Sequence, residues 1–128
     1  MITTYEHASR LKGIGYNRKE TAYYLDDRFI ESCRENWNGI LGIYTSAPSV
    51  SDAIQWIRDE KEIDCVVSYY NKIFSYHGKP RAVYCFKFGK DGKTIYNSYN
   101  VDDKFFVTFP AAESALLDAL LTYLEEQK

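Results

Sequence analysis

Apolar positions in this chain recur at two spacings, and each predicts a different kind of element. From Ser49 to about Glu60, Val50, Ala53, Ile54 and Ile57 fall on one face of a helix, with Trp56 on its flank. Ser49 supplies the cap, because its hydroxyl can accept a hydrogen bond from a backbone N–H that the first helical turn leaves free. The spacing then changes to alternation. Ile63, Cys65, Val67 and Tyr69 point one way, and Asp64, Val66, Ser68 and Tyr70 the other, which predicts a strand over Ile63–Tyr70. A turn at His77-Gly78-Lys79-Pro80 leads to a second strand at Ala82–Phe88. The Asp91-Gly92 pair, a strong hairpin signal, returns the chain as Thr94–Tyr99. Asn100–Lys104 reads as a polar connection, and Phe105-Phe106-Val107 as a few further extended residues. Thr108 then caps a final helix to about Glu126. Pro110 lies in its first turn, where a missing N–H costs nothing. Leu116, Leu117, Leu120 and Leu124 form its apolar stripe, and Ala112 and Ala119 allow close approach.

The first 47 residues are less regular. Tyr5, Ala8, Leu11 and Ile14 at intervals of three predict a helix over residues 3–12. Thr3 and Glu6 are spaced as a capping box, and Gly13 and Gly15 stop the helix. Residues 19–33 support two patterns. Leu25, Phe29, Cys33 and Trp37 recur every fourth residue, as in a helix. Thr21–Leu25 and Arg28–Ser32 are β-favouring runs about Asp26-Asp27, as in a hairpin. The hairpin is the reading adopted. Residues 34–48, rich in Asn, Gly, Ser and Pro, read as a loop with a short strand at Ile40–Tyr44. Together these elements predict an α+β fold: an antiparallel sheet with two helices packed on one face, a helix–strand–strand–strand–helix unit over 49–126, preceded by an N-terminal helix and β-hairpin. The 128 residues are expected to form a single domain, with 1–47 as its N-terminal portion.

Composition narrows the range of functions. A net charge of −2 gives no global attraction to nucleic acid or to an anionic membrane. No apolar run approaches the ~18 residues of a membrane span, and the N-terminus lacks a signal pattern. Cys33, Cys65 and Cys85 are odd in number and far apart, so they are expected to be reduced and mostly buried in a cytoplasmic protein. The aromatic fraction is 16%, with twelve tyrosines, a residue suited to half-exposed sheet faces and to interfaces.

Catalytic signatures are sparse. His7 and His77 have no partner at metal-ligand spacing, so no metal is expected. No phosphate-binding loop, nucleophile elbow or dinucleotide fingerprint occurs, and no cofactor is implied. Asp26-Asp27 and Asp102-Asp103 are paired carboxylates, but turn tips keep such pairs solvated rather than splitting their pKa values. The chain is therefore read as a non-enzyme. Residues 71–93 stand out. They hold Lys72, Lys79, Arg81, Lys87, Lys90 and Lys93 against the single acid Asp91, interleaved with Phe74, Tyr76, Tyr84, Phe86 and Phe88. Cations neutralise phosphates and aromatics stack on bases, which makes this a candidate nucleic-acid surface. The competing reading is that the lysines guard an exposed hairpin edge while the aromatics build the core.

The element order over 49–126 is similar to that of the double-stranded-RNA-binding domain. That family grips phosphates with lysines at the start of its last helix. The matching stretch here, Thr108-Phe109-Pro110-Ala111-Ala112-Glu113, has no lysine and one acid, so those contacts do not carry over. A second resemblance rests on Tyr5-Glu6-His7-Ala8-Ser9-Arg10-Leu11-Lys12 with Gly15-Tyr16, on Ser46-Ala47-Pro48-Ser49 with Ala53, Trp56, Arg58 and Lys61, and on Thr108-Phe109 with Ala112, Glu113 and Leu120. These resemble small uncharacterised proteins of Bacteroidetes phages and mobile elements, which implies a shared fold and an accessory role. The expected function is a non-enzymatic protein-interaction module that binds a protein partner or itself. The alternative is nucleic-acid binding through the basic hairpin. A third class, an enzyme or small-ligand binder, would need a pocket assembled from residues distant in sequence.

Overall fold

The computed structural model describes residues 1–40, 42–70, 83–98 and 105–127. The fold class is α+β: among the described residues there are three α-helices and two separate three-stranded antiparallel sheets. The chain divides into two compact units, Met1–Trp56 with Leu117–Lys128, and Ile57–Leu116.

In the first unit, helix α1 spans Tyr5–Gly13. Its cap is Thr4, whose hydroxyl accepts from the His7 N–H at 3.2 Å, not the expected Thr3. Thr3 is buried and committed elsewhere: its N–H and its hydroxyl both donate to the Pro48 carbonyl at 2.9 Å. The helix stops as Gly13 and Gly15 predict. The Gly15 N–H donates to Lys12 O and the Tyr16 N–H to Leu11 O, with Gly15 at φ +99°. That paired arrangement satisfies carbonyls that the helix end would otherwise orphan, and it draws Tyr16 back onto buried Leu11.

Strands β1 (Glu20–Leu25) and β2 (Arg28–Glu35) form the hairpin about Asp26-Asp27, with Leu25 opposite Arg28 and Asp26 at φ +54°. A short 3-10 turn, Trp37–Gly39, then leads to β3 (Tyr44–Ser46). The third strand begins where Ile40–Tyr44 was expected to end. Asn38 sets its position: its N–H donates to Ser46 Oγ, and its side-chain oxygen accepts from the Ser46 N–H. The hairpin thus recruits its own third strand, in the order β2-β1-β3. Tyr5, placed in the buried stripe by its spacing, is exposed, with its ring edge-on to Tyr24.

Helix α2 (Val50–Lys61) opens under the Ser49 cap, which accepts from the Asp52 N–H at 3.0 Å. Val50, Ala53, Ile54 and Ile57 are all buried, as their spacing predicts, and Trp56 on the flank is buried with them. In the second unit, β4 (Asp64–Tyr70), β5 (Val83–Lys90) and β6 (Lys93–Asn97) pair in chain order. Lys90 stands opposite Lys93, and Asp91 and Gly92 take φ +55° and +77°, the mirror-image turn that Asp-Gly favours. Phe106 bridges Tyr84. Helix α3 (Phe109–Glu126) is capped by Thr108, which accepts from the Ala111 N–H. Its buried stripe is Ala112, Leu116, Leu117, Leu120 and Leu121, with Leu124 half-buried, one position away from the expected pattern. The boundaries of the two units fall within α2 and α3.

The register of β5 and β6 slips between Phe88 and Gly89, leaving Ile95 as an extra residue on β6. A Cβ at Gly89 would lie 2.2 Å from the Lys93 carbonyl oxygen, a backbone atom that cannot swing away. Gly89→Ala is expected to destabilise the chain by ~1–3 kcal/mol through forced backbone movement. Chemical denaturation measures that cost, and loss of the Gly89–Thr94 cross-strand contact by NMR locates it.

Candidate functional site

The basic hairpin can be followed at three of its six cations. Lys87, Lys90 and Lys93 are exposed. Lys72, Lys79 and Arg81, with Phe74, Tyr76 and the His77–Pro80 turn, lie outside the described residues, as do Asp102 and Asp103. Lys87 pairs with Val66 and Asn97, on the opposite face of the sheet from Phe86 and Phe88. Phe86 and Phe88 are buried and stack on Tyr96. They build the core of the second unit and are not available to stack on bases.

A pocket that sequence reasoning missed lies in the first unit. It has a volume of about 520 Å³ and is lined by Arg18, Lys19, Glu20, Thr21, Arg34 and Asp52. These residues come from four segments: the link after α1, the start of β1, the end of β2, and the first turn of α2. A bulge delivers Arg34. Ala22 stands opposite Glu31 and Glu20 opposite Glu35, so Thr21 alone on β1 faces Ser32, Cys33 and Arg34 on β2. Such insertions bend a strand and re-aim its side chains.

Tyr16 fixes the floor of this region. Its ring is buried and lies edge-on to Trp56, with centroids 5.1 Å apart. Its hydroxyl donates to Glu20 Oε1 at 2.5 Å, and its carbonyl accepts from Asn38 Nδ2. Glu20 is held again through its backbone, whose carbonyl accepts from Trp37 Nε1 at 2.9 Å. Trp56 Nε1 donates to Asn17 Oδ1 and steadies the link that carries Arg18 and Lys19. Burial raises the Glu20 carboxyl above its ordinary range. The Tyr16 hydrogen bond opposes that rise, Asp52 adds to it, and Arg34 and Arg18 counter it. Burial, then the hydrogen bond to Glu20, pushes the Tyr16 phenol well up, so it stays a donor. The pocket therefore offers three cations, a hydroxyl, and two carboxyl groups, of which that of Glu20 is half-buried.

A second polar cluster ties α1 to the C-terminal half of α3. Arg10 donates to Asp118 Oδ1 at 2.9 Å, to Thr122 Oγ1 at 2.9 Å and to Glu125 Oε1 at 2.5 Å. His7 Nε2 donates to the same Asp118 oxygen at 3.1 Å. The other ring nitrogen of His7, Nδ1, is buried and finds no hydrogen-bond partner among the described residues. The cluster ties the two helices together. Among the described residues no group of three or more His, Cys, Asp or Glu side chains could hold a metal ion, and no helix is long and apolar enough to cross a membrane. Cys65 and Cys85 are buried free thiols. Cys33 is exposed on β2, an edge strand, so the cysteines are mostly buried, as expected, with this one exception.

Partial burial pushes the Asp118 carboxyl up, but hydrogen bonds from His7 and Arg10, with the guanidinium charge, outweigh it and hold it below the usual carboxylate range. Its native value is depressed, so its contribution to stability is present above the unfolded value of ~3.9 and is lost as pH falls through the native one. Asp118→Asn is therefore expected to be less stable than the wild type at neutral pH, with the gap closing as pH falls below 4 or so. Denaturant unfolding across that range checks this, and a gap independent of pH would exclude it.

No protein-family model, no curated protein and no solved structure matches this chain.

Proposed function

We propose that this chain is a non-enzymatic accessory module that works by contact with another protein surface, a second copy of itself included. The observation that carries this reading is an aromatic run on the second unit. Tyr69, Tyr84 and Phe109 contact in sequence, with ring centroids 5.4 and 5.9 Å apart. Tyr69 is 57% exposed, Phe109 44%, and neighbouring Val107 62%. Leaving that much apolar surface in water is unfavourable, and aromatics grouped in this way are enriched where proteins meet. The tyrosine hydroxyls stay hydrated at the rim of such a contact while the rings are covered.

The exposure of Lys87, Lys90 and Lys93 favours a second reading, nucleic-acid binding by charge alone. With Phe86 and Phe88 inside the core, affinity would come from phosphate contacts and would not depend on base sequence.

Two experiments test these readings. Sedimentation velocity and affinity capture with the wild type and with Tyr69→Ser/Phe109→Ser are expected to show association that the double variant loses. A wild type that stays monomeric and captures nothing, or a double variant that associates equally well, would contradict the contact reading. For the second reading, affinity for duplex DNA should fall with salt at ~−0.9 in log–log slope per phosphate contacted, and Lys90→Glu/Lys93→Glu should flatten the slope. No gel shift at low salt would rule it out.

A further inference from the structure

We propose that the pocket formed by Arg18, Lys19, Glu20, Thr21, Arg34 and Asp52 binds a small hydroxylated phosphate ester, with the cations on the phosphate and the carboxyl groups on the hydroxyls. This goes beyond the contact surface, which lies on the other unit.

The charge pattern selects the ligand class. Arg18, Lys19 and Arg34 place two guanidinium-bearing side chains and one ammonium-bearing side chain in the lining of one pocket. A monoanionic carboxylate needs a single guanidinium fork, whereas a phosphate dianion presents enough oxygens for both arginines and the lysine. Glu20 and Asp52 would repel a bare anion, so the same cavity must also hold a part of the ligand that carries hydrogen-bond donors. Hydroxyl groups fit: they donate to the carboxylates, and they can accept from the Thr21 hydroxyl. The volume of about 520 Å³ falls in the range of small-molecule sites and far exceeds an inorganic oxyanion.

Part of the lining is held in place. The β2 bulge carries Arg34 to the cavity at the cost of ladder hydrogen bonds that a regular strand would keep. Glu20 is anchored at both ends, by Tyr16 through its carboxyl and by Trp37 through its carbonyl. Anchoring of this kind lowers the ordering cost that weakens ligand binding. Burial raises the pKa of Glu20, which lets it take a proton more easily and so reduces repulsion when a dianion enters.

Isothermal titration calorimetry of the full chain with ribose 5-phosphate, inorganic phosphate and ribose tests the assignment. Ribose 5-phosphate is expected to bind saturably, inorganic phosphate about tenfold more weakly, and ribose not measurably. Arg34→Met and Arg18→Met should each weaken ribose 5-phosphate about tenfold or more, the loss of one charge-assisted fork. Arg28→Met, at the exposed hairpin turn, should leave affinity unchanged. Asp52→Asn should weaken ribose 5-phosphate without weakening inorganic phosphate. Thermal unfolding of each variant separates lost binding from lost folding. Equal affinity for ribose 5-phosphate and inorganic phosphate would overturn the ester assignment. No saturable binding of either at ~millimolar concentration, or equal weakening by Arg28→Met and Arg34→Met, would overturn the site itself.

Discussion

The burial of Tyr16 is the constraint on which the first unit depends. One residue joins four elements. Its N–H closes the end of α1 on Leu11, its ring packs on Trp56 of α2, its carbonyl holds Asn38 of the 3-10 turn, and its hydroxyl holds Glu20 at the start of β1. A phenol taken out of water must keep a hydrogen-bond partner, since an unsatisfied buried hydroxyl costs ~1–3 kcal/mol. Glu20 is that partner, and its carboxyl is consequently half-buried beside Arg18, Arg34 and Asp52. The polar pocket is thus a direct consequence of how the aromatic core closes. Asn38 passes the constraint on: it bonds Tyr16 on one side and Ser46 on the other, which positions β3 on β1.

The second unit solves a simpler problem. Its sheet buries Cys65, Phe86 and Phe88 on one face, and its tight turn places Lys90 and Lys93 in water. Aromatic residues at one end of that face, Tyr69 and Tyr84, continue past the buried region and meet Phe109 at the start of α3. The two units therefore present chemically different surfaces. The first offers a charged pocket with one anchored carboxyl group, and the second an exposed aromatic run at the end of its sheet away from the basic turn.

Much of the fold was legible because its signals are local. The Asp91-Gly92 turn, the Ser49 and Thr108 caps, the α2 stripe and the glycine stop of α1 each depend on residues within one turn of one another. The hairpin about Asp26-Asp27 was harder, since four-residue spacing competed with β-favouring runs, and strand pairing decided the matter. The misses share a cause: each depends on a contact made across the chain. Thr3 was a plausible cap by spacing, but Pro48 claims it. The short strand was placed too early because Asn38 and Ser46 fix its start through side-chain bonds. The pocket was invisible for the same reason. Arg18-Lys19-Glu20 reads as a solvated charge run after a helix stop, and nothing near Arg34 announces a bulge. The only cue was the position of that charge run between a buried tyrosine and the first strand.

The most direct test of this account is the titration of the Glu20 carboxyl carbon by NMR, in the wild type and in Tyr16→Phe. Burial raises its pKa and the Tyr16 hydroxyl restrains the rise. The account predicts that Glu20 titrates above the ordinary range of ~4.3 in the wild type and higher still when the hydroxyl is removed. A Glu20 that titrates at its ordinary value in both proteins would contradict the claim that closure of the core around Tyr16 builds the pocket.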